Sequence, residues 1–228
     1  MKLNASVSKY FIFLCVLLAP LPACSGHPAQ YSAEAIEAWV VDAETKEPLA
    51  DVIVVANWQL YIGRIDGRHP SGQLMVMETV TDQGGHFSFP AWGPMRRPFN
   101  TFLDDRDPQI LLFKPSYEFR GLSNPTKSYV NKRSVRRSIW DGKAIELNRF
   151  GGGMNEYARR LGFLMTSLGF IEEDCNWKKV PKILLALRPE QEKLRKKGII
   201  RTFYSPDYLP VDEDKCGSVK EFFQGYQP

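Results

Sequence analysis

The chain has 228 residues, 43% hydrophobic, 25% charged and 12% aromatic, which excludes a disordered, collagenous or multi-span membrane protein. Thirty Lys and Arg against 26 Asp and Glu give a net charge of +4. Two of those lysines lie in a leader described next, and the 28 cations that remain against 26 acids leave too small an excess to imply a polyanion partner.

Met1 to Lys9 carries two lysines and no acid, and Tyr10 to Leu21 (YFIFLCVLLAPL) is almost wholly apolar. Those twelve residues fall short of the ~20 that span a bilayer and read as a secretory leader. It ends Leu21-Pro22-Ala23-Cys24-Ser25, which resembles the lipobox of bacterial lipoproteins, with Pro22 where that family usually has Ala, Ser or Thr. The resemblance implies that residues 1–23 are removed and that Cys24 becomes a diacylglycerol-modified, N-acylated terminus on a tether of residues 24–32. Two or three acyl chains, at about 0.8 kcal/mol per buried CH₂, anchor a protein durably. Ser25 lies where lipoproteins kept in the inner membrane carry Asp, so the resemblance implies the outer membrane. The alternative is cleavage after Ala23 to a soluble periplasmic product.

Four cysteines are present: Cys15 in the leader, Cys24 at the lipid site, and Cys175 and Cys216. Lipidation leaves the last two as an even pair in an oxidising compartment, either bridged or as two separate buried thiols. A bridge would close a loop of about 42 residues, worth up to about 4 kcal/mol on the chain-entropy model.

The middle of the chain reads as β. Ala33 to Asp42 ends strand-like; a turn at Glu44 to Pro48 joins it to the β-branched run Val52 to Trp58, as a hairpin. Gly63 to Gly72 (GRIDGRHPSG) reads as a solvated loop. Gln73 to Thr81 alternates in character and stops at the turn Asp82-Gln83-Gly84-Gly85; His86 to Pro90 and Pro108 to Lys114 are further strands. Trp39, Trp58 and Trp92 read as core or rim packing.

The turn Val40-Val41-Asp42-Ala43-Glu44-Thr45-Lys46-Glu47-Pro48-Leu49, the following Asp51-Val52-Ile53-Val54, the turn Thr81 to Phe87 and the run Phe113-Lys114-Pro115-Ser116-Tyr117 together resemble the carboxypeptidase regulatory-like domains. The resemblance covers residues 33 to 120 and implies a transthyretin-type Greek-key β-sandwich, used in envelope proteins as an accessory or binding module. It says little about chemistry.

The last third changes period. Met154, Tyr157, Ala158, Leu161, Leu164, Met165, Leu168 and Ile171 form one helical stripe; Val180, Leu184, Leu187, Gln191 and Leu194 form a second, with a break or kink expected at Pro189 and a C-cap at Gly198. The domain reading is a sandwich over 33–148 and a helical extension over 149–228 packed on it, mainly β and α+β overall.

Chemistry is sparse. His27, His69 and His86 have no metal-ligand spacing, and no nucleophile elbow or phosphate loop occurs, so no catalytic residue, cofactor or metal is expected. Asp104, Asp105 and Asp107 read as a solvated turn rather than a cation site. Phe119-Arg120-Gly121-Leu122-Ser123 half resembles the Tyr-Arg-Gly-Ser ending of transthyretin-fold hydrolases, far from the C-terminus and without that family's strand histidine. Lys132, Arg133, Arg136 and Arg137 form the strongest charge cluster, a candidate patch for lipid phosphates or envelope polysaccharide, the alternative being a solvated face; nucleic acid is excluded by compartment. The expectation is an outer-membrane-anchored, non-catalytic binding or structural module with an envelope protein or polysaccharide partner. The alternative is an envelope hydrolase with an unrecognised site on the sandwich.

Overall fold

The computed structural model describes residues 26–125, 134–199 and 209–226. The described residues form eleven strands: β1 (Gln30–Ala33), β2 (Ile36–Asp42), β3 (Ile53–Arg64), β4 (Gly67–Val80), β5 (His86–Phe89), β6 (Trp92–Arg96), β7 (Thr101–Leu103), β8 (Gln109–Phe113), β9 (Arg120–Leu122), β10 (Val135–Arg136) and β11 (Lys143–Leu147). Helices follow: α1 (Met154–Ser167), two 3₁₀ turns at Gly169–Glu172 and Asn176–Lys179, α2 (Pro181–Lys196), α3 (Glu213–Cys216) and α4 (Val219–Gln224). The fold is a mainly β sandwich with C-terminal helices, as the residue pattern predicts.

The largest sheet runs in the order β4-β3-β8-β9, with β7 also pairing β3, and two three-stranded sheets run β10-β1-β6 and β11-β2-β5. Strand alternation makes β3 the centre of everything. Its even-numbered side chains Val54, Ala56, Trp58 and Leu60 enter a core with Ile36, Ala38, Val40, Phe87, Phe89 and Trp92 of the smaller sheets. Its odd-numbered Ile53 and Val55, with Leu111 and Phe113, enter a second core with Leu161, Leu164, Trp177, Leu184 and Leu187 of the helices. A strand buried on both faces must be apolar at consecutive positions, which is why Val52 to Trp58 lacks a polar row until Asn57.

Several local expectations are corrected. β2 and β3 are not a hairpin: β2 pairs β5 and β11, and β3 pairs β4, β7 and β8, so the turn after Asp42 carries the chain between sheets. Gly63 to Gly72 is not a loop either; β3 and β4 stay paired out to Arg64 and Gly67, around the two-residue tip Ile65-Asp66. Pro70 is tolerated because β4 is an edge strand, where a missing N–H faces no partner. The first strand begins at Gln30, inside the expected tether, because Tyr31 is fully buried. Helix α2 runs unbroken through Pro189, with Ile183 and Leu184 before it and Glu190 and Leu194 after it all buried, so packing holds both halves in one line. It ends as predicted: Gly198 takes φ +77°, and the Ile199 and Gly198 amides donate to the Leu194 and Arg195 carbonyls.

The segments that carry the family resemblance meet at the Ile53 end of β3. Asp42 Oδ1 accepts from the Glu44 and Thr45 amides at 2.9 and 3.1 Å, and its Oδ2 accepts from the Tyr117 hydroxyl and Arg149 Nε, each at 2.9 Å. The two amides, then the hydroxyl, hold its pKa down at about 2. Gly85 sits against the same turn at φ +72°, and a Cβ there would lie 2.4 Å from the Val40 carbonyl oxygen, so only glycine fits.

Candidate functional site

The helical layer covers only part of the large sheet. Ile53 and Val55 lie beneath it, and beyond the C-terminal end of α1 the same row of β3 turns polar at Asn57 and Gln59. The register sets Val55 opposite Leu111, Asn57 opposite Gln109, and Leu111 opposite Gly121. These side chains floor a cleft of about 230 Å³, with Ser123 beyond them, Ser167 and Phe170 as the wall and Arg106 at one end. Gly121 keeps the floor low, since a Cβ there would meet nothing within 4 Å. Asn57 is buried, and its Oδ1 accepts no hydrogen bond in the fold.

Arg106 is held in place by a carboxylate beneath it. Asp104 accepts from Arg106 Nη2 at 2.9 Å and Nε at 3.2 Å and from Arg68 Nη1 at 3.0 Å. Burial opposes ionisation of Asp104, but the Arg106 bonds and the charge of Arg68 together lower its pKa. Asp107 is the opposite case: burial pushes its pKa well above the ordinary carboxylate range, with Arg136 and the Gln59 amide only partly opposing. The expectation of a solvated Asp turn is therefore corrected. Asp104 and Asp107 are both buried, the first as an arginine clamp and the second in surroundings that oppose its ionisation.

Of the basic cluster, Arg136 and Arg137 are described, and they do not share a surface. Arg136 is buried, with Nη2 donating to the Leu103 carbonyl at 2.9 Å, Nη1 3.4 Å from Asp105 and its guanidinium over the Tyr31 ring. Pairing of β10 with β1 turns Arg136 inward, so it is withdrawn from any anion patch. Arg137 is exposed and pairs with Glu34 at 2.6 Å. Lys132, Arg133 and Cys24 lie outside the described residues.

Cys175 and Cys216 are bonded, with a Cα–Cα distance of 5.4 Å. Beside the bridge runs a shallow groove lined by Ser71, Gly72, Glu172, Glu173, Asp174, Asp212 and Lys215, where Lys215 Nζ lies 2.8 Å from Asp174. Among the described residues no three His, Cys, Asp or Glu side chains converge to hold a metal ion, and no helix is long and apolar enough to cross a membrane. The histidines are dispersed: His27 stacks on Phe102, His69 meets Asp66, and His86 lies beside Trp39.

No family model and no curated protein matches the sequence. Among solved structures, the chain is similar to 3-chlorocatechol 1,2-dioxygenase from Rhodococcus opacus 1CP at 16% identity and a TM-score of 0.30, over 53% of this chain and 60% of the dioxygenase. It is also similar to the C-terminal domain of the shaft pilin SpaA from Lactobacillus rhamnosus GG, at 14% identity and a TM-score of 0.23, over 54% of this chain and all of that domain. These likenesses are too slight to bear on function.

The cleft residues escape sequence reading because no motif links them. The one signal was Asn57, a polar side chain interrupting an apolar run whose neighbours are all buried.

Proposed function

We propose that the protein is an exported lipoprotein of the bacterial outer membrane, held by acyl chains on Cys24, whose folded part is a non-catalytic binding module of the cell envelope. The observation that carries this reading is the Cys175–Cys216 bond. Structural disulfides belong to oxidising compartments, and this pairing leaves Cys24 as the cysteine that follows the leader. The bonds that Asp42 makes to Tyr117 and to its own turn support the likeness to carboxypeptidase regulatory-like domains, because the residues that carry the likeness hold each other.

The cleft is where such a module would take a ligand. Two amides, two hydroxyls and a guanidinium around the apolar wall of Phe170 match the hydroxyls and ring face of a sugar, which favours envelope polysaccharide as the partner. Metabolic labelling with a palmitate analogue tests the anchor: wild type takes label and Cys24→Ala does not, and equal labelling refutes it. Retention on envelope polysaccharide, lost in Asn57→Leu with an unchanged melting temperature, tests the cleft; retention equal to wild type rejects it.

A further inference from the structure

Two large apolar side chains stand wholly in solvent, Ile65 at 110% and Phe99 at 99% relative exposure. The other exposed large hydrophobics lie between 39% and 57%. Neither is required by its turn: the tip of the β3–β4 hairpin and the loop between β6 and β7 are positions where Asn, Asp or Gly would serve the backbone better.

The two turns lie at one end of the molecule. β7 pairs β3 with Ile62 opposite Thr101 and Tyr61 opposite Phe102, so the chain before Thr101 reaches the level of Gly63 and Arg64. The Pro98 carbonyl accepts from the Thr101 amide and hydroxyl, which leaves Phe99 and Asn100 at the apex of that turn. Four arginines lie about the pair, Arg64 and Arg68 on the hairpin, Arg96 at the end of β6 and Arg97 on the loop; Asp66 shares the hairpin tip, and Arg68 also meets the buried Asp104 at 3.0 Å. Arg64 and Arg96 are exposed and make no ion pair among the described residues.

The N-terminal chain leaves from this same end. Gln30 pairs with Arg96, Arg97 donates from Nε to the Pro28 carbonyl at 2.6 Å, and His27 stacks on Phe102 with ring centroids 4.2 Å apart. Cys24 is three residues before His27, a reach of at most about 11 Å.

We propose that this end docks on an anionic lipid bilayer, with Ile65 and Phe99 entering the interface and Arg64, Arg68, Arg96 and Arg97 meeting the headgroup phosphates. Apolar tips collared by arginine match that surface in both layers, since the apolar groups leave water while the guanidiniums remain at headgroup depth. The proposal rests on the Cys24 anchor for the direction in which the molecule faces, while the face itself is built from other residues.

The test uses the mature chain, residues 24–228, with Cys24→Ser so that no acyl chain contributes. It is mixed with vesicles of phosphatidylethanolamine and phosphatidylglycerol, or of phosphatidylcholine alone, and bound protein is measured by co-sedimentation. Binding is expected on the anionic vesicles, weakening as salt rises, and far less on phosphatidylcholine. Ile65→Ser and Phe99→Ser are each expected to weaken it by about tenfold or more, and Arg64→Gln with Arg96→Gln by a similar factor. Both apolar side chains are exposed, so the fold is untouched, and Phe163→Ser, an exposed apolar side chain on the helical layer, serves as a control that leaves binding unchanged. Absence of binding to anionic vesicles overturns the proposal, as does a double Ile65→Ser, Phe99→Ser variant that binds like wild type. Crosslinking that captures an envelope protein through these tips without vesicle binding also overturns it. A failed palmitate label with intact vesicle binding removes the anchor and leaves the docking face standing.

Discussion

Glu78 gives the most direct test of how the sheet and the helical layer are joined. Helix α2 starts at Pro181 after Val180, which offers no side-chain cap, and the cap comes from β4 instead. Glu78 Oε2 accepts from the Lys182 amide and Oε1 from the Ile183 amide, each at 2.8 Å. Burial outweighs these two bonds and raises the Glu78 pKa from 4.5 to about 6. A raised folded-state pKa means that the native protein binds the proton more tightly than the unfolded chain. The associated stability is full below pH 4.5 and is lost as pH rises through about 6. At 1.36 kcal/mol per pKa unit the loss is about 2 kcal/mol. Glu78→Gln keeps an acceptor for the helix amides and removes the titration. Urea denaturation of both proteins at intervals from pH 4 to 7.5 is the assay, because the difference between them cancels other titrating groups such as Asp107. Wild type is expected to lose about 2 kcal/mol relative to Glu78→Gln across that interval. A difference that stays flat with pH would show that the carboxylate is not buried against the α2 terminus.

Three further outcomes follow from the same packing. Cys175→Ser with Cys216→Ser opens a loop with a sequence separation of 41 and is expected to cost about 4 kcal/mol, measured by denaturant midpoint, with hydrogen exchange rising first in α3 and α4. Asp42, whose pKa is held at about 2, contributes stability that is present above its ordinary 3.8 and lost as pH falls through about 2. Asp42→Asn should flatten the acid limb of a melting-temperature profile between those values, and an unchanged limb would dismiss the hub. Gly85→Ala, which sets a methyl group 2.4 Å from a carbonyl oxygen at positive φ, is expected to lower stability by about 1–3 kcal/mol or more, read by calorimetry.

Legibility in the sequence followed the range of the interactions. The helical stripes, the Gly198 cap, the His86–Phe89 strand and the cysteine pair were readable because each depends on local periodicity or on simple counting. Pairing was not readable. Val52 to Trp58 looks like the partner of the strand just before it, yet the two belong to different sheets, since nothing in a β-branched run names the strand beside it. Gly63 to Gly72 has loop composition but lies mostly in strand, because Arg64 and Gly67 need only a two-residue tip and an edge strand accepts Pro70. Arg136 and Asp107 look like surface charges in a polar stretch and are both buried, a consequence of β10 and the segment before β8 closing over one another. The cleft was invisible for the same reason, as its residues come from three strands, two loops and the helical layer.

This division explains why the residues that carry the resemblance are silent on function. The residues that carry it, Asp42, Gly85 and Tyr117, are committed to hydrogen bonds and close contacts at the Ile53 end of β3. Eleven residues along the strand, about 36 Å at 3.3 Å per residue, the Arg64 end carries exposed Ile65, exposed Phe99 and the start of the described chain. Exposed apolar side chains lower solubility and add nothing to the core, which is the physical ground for the docking face proposed at this end. The cleft lies midway, where β3 leaves the cover of the helices and Asn57 is left without an acceptor's partner. On the reading proposed above, one strand sets a rigid end, a ligand cleft and a bilayer-docking tip in order along its length, and substitutions at the last two should alter binding while leaving the melting temperature where the first has fixed it.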